Sequence, residues 1–325
     1  LKTIPDWSTA KPLIEKLHAR VRNNDASVHP FIAIMLNSTA DIVLRESRRL
    51  ARAGAAAARA AAAAGTFTPF DHAARLAKRN SSSPLRVAFI SSNFINHAQG
   101  AQLQNFFSCG GGGGASSSDG GSSDDGNGID AFLYSLRPAV TREAVEARER
   151  LVATVGGEHR VIEVTAMDEQ RIAERLWRDR IDVAVDLNGL ADEARTGMFS
   201  YRPARVHVSF LGYPATTGSS DVDYFVGDAV STPPTTAAAH FSERLVLMPA
   251  TYQVTEHRSA YGRDAVRDAE EHRAAGGRGG LTAKRDAARA LGLGDSVLGG
   301  LLEYERYLSS MASGGGGDGD GGGGG

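Results

Sequence analysis

From Leu85 onward the chain repeats one pattern: a short run rich in Val, Ile and Phe, then a stretch whose apolar positions recur every three or four residues. The runs "LRVAFIS" (85–91), "IDAFLYSL" (129–136), "HRVIEV" (159–164) and "IDVAVDL" (181–187) read as strands. So do "RVHVSFL" (205–211), "DYFVG" (223–227) and "ERLVLMP" (243–249). Between them, "TREAVEARERLVATV" (141–155) and "DEQRIAERLWRDR" (168–180) have helical spacing, the second with Ile172, Leu176 and Trp177 facing inward. A further short helix is predicted through Arg195 to Tyr201. Strands that alternate with helices and lack polar alternation are buried on both faces. The pattern therefore predicts an α/β fold, a doubly wound parallel sheet with helices on either side.

Residues 1–84 follow a different rule. Leu13, Ile14, Leu17 and Val21 mark one face of a helix, and Ser38 to Asp41 form a capping start for "IVLRESRRLARAG". The alanine-rich tract after Gly54 favours helix by propensity and is expected to act as an extension or spacer. The domain plan is thus a helical lead-in (1–84) and an α/β domain (85–257). A charged, Gly-rich linker (258–280), the opening of a further unit (281–311) and a Gly-rich tail (312–325) follow.

Composition changes the picture at two places. Residues 110–128 hold one apolar side chain, Ala115, and the tail holds only Gly and Asp after Ser313, so both are expected to be disordered. Net charge is −2 with Lys and Arg scattered among acids, which supplies no footprint for nucleic acid or an anionic membrane. The single cysteine, Cys109, excludes an internal disulfide, and no apolar run is long enough to span a bilayer. These features lead to the expectation of a cytoplasmic or nuclear protein.

In an open parallel sheet, ligands bind beyond the carboxyl ends of the strands. Reading those ends gives "SNFINHAQGAQ" with His97, then Asn188-Gly189, then Gly212-Tyr213-Pro214 with Thr216-Thr217-Gly218. His97 is suited to proton transfer near neutral pH or, equally, to capping a helix. Asn188-Gly189 reads as a turn as readily as a ligand contact, and Tyr213-Pro214 as a turn with a packed ring. The dinucleotide G-x-G-x-x-G, the P-loop and the G-x-S-x-G elbow are all absent. The nine histidines form no H-x-x-x-H pair. The D-x-D sequences at Asp221 and Asp318 open a strand and sit in polyglycine, so no metal is expected.

Three segments carry a resemblance. "LRVAFISSNFINHAQ", "DVAVDLNGLADEARTGMFSYRPARVHVSFLGYPATTGSSDVDYFVGD" and "FSERLVLMPATYQV" resemble the first catalytic lobe of the eukaryotic protein O-GlcNAc transferases. Asp6-Trp7 and "ASVHPFIAIML" (26–36) resemble the helical lead-in of that family. The resemblance implies a two-lobed GT-B architecture with Rossmann-like halves. It also implies inverting, metal-independent transfer of N-acetylglucosamine from UDP-GlcNAc to Ser and Thr hydroxyls of intracellular proteins. On this reading His97 faces the reaction centre and Asp179 is an acid linked to activity. Asn188, Gly189, Leu211, Gly212, Tyr213, Pro214 and Thr217 would line the sugar end of the cleft.

The departures are specific. Ala98 stands where the family has proline beside the histidine, and Ala101 where a second histidine is usual. Nothing after residue 281 matches the family's UDP-holding lysine and histidine-threonine run, and no tetratricopeptide repeat precedes the lobe. The chain as given is therefore expected to be inactive alone. Two other readings stand beside this one: a protein O-fucosyltransferase relative, and a noncatalytic lobe that binds a peptide or partner.

Overall fold

The computed structural model describes residues 7–254 except 81, 96, 104–105, 108–127 and 192. The chain divides into two units, Leu1–Glu256 and His257–Gly325, and the sheet lies in the first. The expected linker, further unit and tail lie outside the described residues, as does all but Gly128 of the 110–128 insert.

Seven parallel strands form one sheet in the order β3-β2-β1-β4-β5-β6-β7. They are β1 (Leu85–Ser91), β2 (Ile129–Ser135), β3 (Val161–Glu163), β4 (Val183–Asp186), β5 (Val206–Phe210), β6 (Tyr224–Asp228) and β7 (Arg244–Met248). The helices are α1 (Trp7–Arg22), α2 (Pro30–Met35), α3 (Ala40–Ala63), α4 (His72–Ala77), α5 (Ala98–Leu103), α6 (Arg142–Val155), α7 (Glu169–Arg178) and α8 (Pro234–Ala237). The helix predicted to end at Tyr201 is a 3-10 helix, Thr196–Tyr201. Thr141 accepts from Ala144 N–H at the start of α6, and Gly156 ends that helix at φ 89°, where a side chain would be strained. Asp168 likewise accepts from Arg171 N–H at the start of α7.

The period of two along each strand splits the core into halves. Ala88, Ile90, Phe132, Tyr134 and Ala184 face a layer containing Ile172 and Leu176 of α7 and Met198 and Phe199 of the 3-10 helix. Val87, Phe89, Leu133 and Val185 face the other layer, with Leu103 of α5 and Leu151 and Val155 of α6. Each fully buried Ile or Leu contributes about 1.5–3 kcal/mol relative to exposure. The sheet is doubly wound, as the strand pattern predicts.

Two expectations need correction. Trp177 does not enter the sheet core: it is half-buried and stacks on Phe70 at 4.7 Å between ring centroids, with His72 edge-on at 5.0 Å. The alanine tract is not a spacer. Its Ala58 packs in a cluster with Phe67, Ala173 and Tyr201, and Gly54 lies so near the 3-10 helix that a Cβ there would sit 3.1 Å from Gly197 Cα. Small side chains let α3 approach the domain closely; that contact, rather than helix propensity alone, is what the composition serves.

Candidate functional site

Chain order reverses between β1 and β4: β2 and β3 lie on one side of β1, β4 to β7 on the other. Such a switch point opens a crevice at the carboxyl ends of the central strands. Ile90 pairs with Asp186, and Asp186 with Ser209, so the segments that follow emerge side by side. The structure thus brings His97, Asn188, Gly189, Leu211 and Gly212 to one edge, as the strand grammar predicts.

The loops are tied by a buried amide and hydroxyl network. Asn188, 1% exposed, accepts from Ser92 N–H at 3.0 Å through Oδ1 and donates from Nδ2 to Ser92 Oγ at 2.6 Å. Ser91 Oγ lies 2.8 Å from Asn188 Oδ1 and 2.9 Å from Gln99 Oε1, its one proton serving both, and it accepts from Asn93 N–H. Gln99 Oε1 also accepts from Asn93 Nδ2, while its Nε2 donates to the Leu187 carbonyl. Sequence reasoning missed Gln99, Ser91 and Ser92; their signal was the run of small polar residues directly after an apolar strand. Fully satisfied buried networks fix one geometry, and this one fixes three loops.

Close packing then demands glycine. A Cβ on Gly212 would fall 1.9 Å from the Leu187 carbonyl oxygen, and one on Gly189 (φ +56°) 2.4 Å from Tyr213 Cβ. Leu211, between β5 and Gly212, is held at φ 74°, a conformation that L-residues adopt only when their surroundings enforce it. The Tyr213 ring is 1% exposed and lies 6.5 Å from Phe31 of α2. Its burial pushes the phenol up to about 12. Tyr213 is therefore a buried support under Gly189, while Pro214 is exposed.

Beneath the network sits Asp186, 2% exposed, which sequence reasoning also missed although it interrupts an apolar strand. Its Oδ1 accepts from Asn188 N–H and Gly189 N–H at 2.9 and 3.0 Å. Oδ2 has no hydrogen-bond partner among the described residues. Burial raises this carboxyl to about 6 against the pull of the two N–H donors.

Above the network is a cavity of about 300 Å³ lined by Phe31, Asn93, His97, Gln99, Leu211 and Gly212, among others. His97 is exposed, and its Nδ1 accepts from Gln99 N–H at 3.2 Å at the start of α5. A neutral ring that accepts at Nδ1 carries its proton on Nε2. The capping and ligand-facing readings of this histidine are therefore compatible: one nitrogen holds the loop and the other offers an N–H.

Two predicted residues are not brought together with these. Thr217 is turned into a buried cluster in which Glu243, 6% exposed, accepts from Thr217 N–H at 2.7 Å and from the Thr217 hydroxyl, while Thr216 Oγ1 donates to it at 2.6 Å. Asp179 follows α7 at the amino edge, where its carboxylate accepts from Tyr134 OH and Arg175 Nε, both at 2.6 Å. Its carbonyl accepts from Arg86 near the start of β1. At about 3.3 Å per residue, the rest of β1 separates that edge from Ser91 by roughly 16 Å. Of the D-x-D at 221–223, Asp223 is taken up by Arg202 at 3.2 Å and by His207 N–H at 2.8 Å. Among the described residues no group of three or more His, Cys, Asp or Glu is arranged to hold a metal.

Residues 6–277 match the sequence profile of Glycosyl transferase family 41. A UDP-N-acetylglucosamine–peptide N-acetylglucosaminyltransferase of Caenorhabditis elegans is 30% identical over 190 residues, 58% of this chain and 15% of that protein. A probable transferase of the same name, SEC, from Arabidopsis thaliana is 30% identical over 237 residues, 71% of this chain and 21% of that protein. A solved mutant of the Thermobaculum terrenum O-GlcNAc transferase is 26% identical, covers 57% of this chain and 30% of that one, and superposes with a TM-score of 0.44. The chain therefore spans 15% and 21% of the length of the two curated relatives.

Proposed function

The chain belongs to Glycosyl transferase family 41, and from that we propose that it supplies the first lobe of a protein O-GlcNAc transferase. The reaction moves N-acetylglucosamine from UDP-GlcNAc to Ser and Thr hydroxyls of proteins, with inversion and without a metal. The observation that carries the reading is the convergence of the His97, Asn188–Gly189 and Leu211–Gly212 loops at the switch point, around one concave space. Both relatives compared above carry names for N-acetylglucosaminyl transfer, which favours GlcNAc over fucose.

On this proposal the lobe contributes orientation and hydrogen-bond donors rather than a strong base. The N–H on His97 Nε2 would donate to an oxygen of the sugar or acceptor, and the glycines would admit the ligand to backbone groups. The network from Ser91 to Gln99 would hold those donors in place before the ligand arrives. Asn188 and Thr217 act here by positioning loops; Asp179, at the far edge, supports the sheet. The cytoplasmic or nuclear setting expected from the sequence belongs to the same proposal.

The test is transfer of labelled GlcNAc to a Ser/Thr peptide by this chain joined to the second lobe of a family member, with and without His97→Ala. The expected result is a fall in kcat of about 100-fold or more with little change in Tm. His97→Asn, which keeps a capping oxygen and an amide donor, should recover part of the loss. Full activity in His97→Ala, or no transfer from UDP-GlcNAc by the unaltered two-lobed protein, would overturn the reading.

A further inference from the structure

A second cavity lies at the other edge of the sheet. Its volume is about 670 Å³, and it is bounded by α4, the start of β1 and the connection from α7 to β4. Five cationic side chains line it, Arg75, Lys78, Arg79, Arg86 and Arg180, against the carboxylates of Asp71 and Asp182. The imbalance is local, since the whole chain carries 36 basic and 38 acidic residues.

The two acids are already committed. Asp71 caps α4 by accepting from Ala74 N–H at 2.9 Å. Asp182 accepts from Arg86 N–H at 3.0 Å and pairs with Arg79 at 3.4 Å, while the Arg86 guanidinium is paired with Asp130 at 2.9 Å. Three cations remain without a carboxylate in ion-pair contact among the described residues: Arg75, Lys78 and Arg180. Arg75 is pinned flat, its Cζ 3.0 Å above the Trp177 ring and Nη2 donating to the Trp177 carbonyl at 2.5 Å. Its Nη1 is buried with no hydrogen-bond partner among the described residues. Burial and then the nearby Arg180 disfavour the charge on Arg75, and Asp182 only partly offsets them. Arg180 is itself held at φ 56°, a backbone conformation unusual for a non-glycine residue.

We infer that this basic cavity is a second binding site, for a small phosphate-bearing anion, on the edge opposite the candidate transferase site. The chemistry selects the ligand class. Fixed guanidinium donors and an ammonium gathered in one concavity match a dianionic phosphate, which accepts in several directions. A nucleobase is disfavoured, because Phe70 covers one face of Trp177 and Arg75 stacks on the ring as well. A nucleic-acid track is disfavoured too, because the cluster is compact and the chain's net charge is −2. Free phosphate compounds and phosphorylated side chains share the recognised group.

The experiment is calorimetric titration of the full chain with inorganic pyrophosphate, with a phosphoserine peptide and its unphosphorylated form in parallel. Saturable binding is expected, weakening as salt rises. The exposed pair Lys78→Ala/Arg180→Ala should weaken it at least about tenfold without moving Tm, because each substitution removes a charge-assisted contact to the anion. His97→Ala should leave the titration unchanged, which separates this site from the one at the carboxyl edge. Pyrophosphate binding alone assigns the site to free anions, and phosphopeptide binding alone to phosphorylated proteins. No saturable binding by any probe, or binding that survives the double substitution, would overturn the inference. A Trp7→Phe chain gives a second readout, since Trp177 is then the only indole and Arg75 lies on its face.

Discussion

A carboxyl group with two N–H donors on one oxygen and, among the described residues, no partner on the other is a compromise, and Asp186 shows which side wins. Desolvation outweighs the donors and lifts it from an ordinary 3.8 to about 6. The sign follows: the folded chain holds this proton more tightly than the unfolded one. That contribution is complete below about pH 4 and is lost as pH rises through about 6, a change of about 3 kcal/mol. Asp186→Asn keeps an acceptor for the two N–H groups and cannot ionise. Its stability relative to the parent should therefore rise between pH 4 and pH 7, by about 1–3 kcal/mol in denaturant melts. Parallel stability curves for the two proteins would show that Asp186 is not desolvated. The glycines set a second limit at this scale. Gly212→Ala puts a methyl into a backbone carbonyl that cannot retreat, and Gly189→Ala adds a positive φ to a clash with Tyr213. Each should cost about 3 kcal/mol or more, read as a lower melting midpoint.

Among elements, the segment from Gly212 to Ser219 has no regular structure of its own and is held by a residue from another part of the chain. Glu243, just before β7, gathers Thr216, Thr217 and Ser242 around one buried carboxylate. Glu243→Ala would leave a buried N–H and two hydroxyls unpaired, at a cost of about 2–4 kcal/mol in chemical denaturation. Glu243→Gln keeps one acceptor oxygen and should cost less than half as much. Equal losses for the two would mean that side-chain volume, not hydrogen bonding, is what matters there. This cluster also marks where sequence reading stops. The apolar runs locate all seven strands to within a residue or two, the central ones because burial on both faces leaves no other pattern, and the edge strand β7 by its apolar run although it is largely exposed. The edge carrying His97 and Gly212 follows from parallel topology alone. The direction of Thr217 does not, because a hydroxyl beside a ligand loop reads the same whether it faces the ligand or a carboxylate 26 residues away. The placement of Asp179 against Tyr134 and Arg175 is not legible for a related reason: resemblance carries a residue's identity but not the edge at which it sits.

On the scale of the whole molecule, the lead-in helices complete the first unit rather than precede it. α3 lies against the 3-10 helix through Gly54, and Phe67 packs edge-on to Tyr201 at 4.9 Å between centroids. Phe70 and Arg75 cover Trp177, and His72 Nε2 lies 2.8 Å from the Arg202 carbonyl oxygen. These contacts reach α7 and the 3-10 helix, the layer that covers the sheet on the side of Ile172 and Phe199. A chain beginning at Leu85 would keep every strand yet expose Tyr201, Trp177 and Ala173 together. Each large apolar side chain returned to water costs about 1.5–3 kcal/mol, so losing several approaches the whole stability of an ordinary domain. The expected outcome is a truncated chain with retained far-UV dichroism, weakened near-UV dichroism and no sharp thermal transition. Both tryptophans report on it poorly, one being removed and the other uncovered, so the tyrosine near-UV signal and dye binding are the better measurements. A truncated chain that melts cooperatively near the parent's Tm would show that the sheet and its own helices suffice. In that case the packing of α4 would serve only to shape the basic cavity at the amino edge.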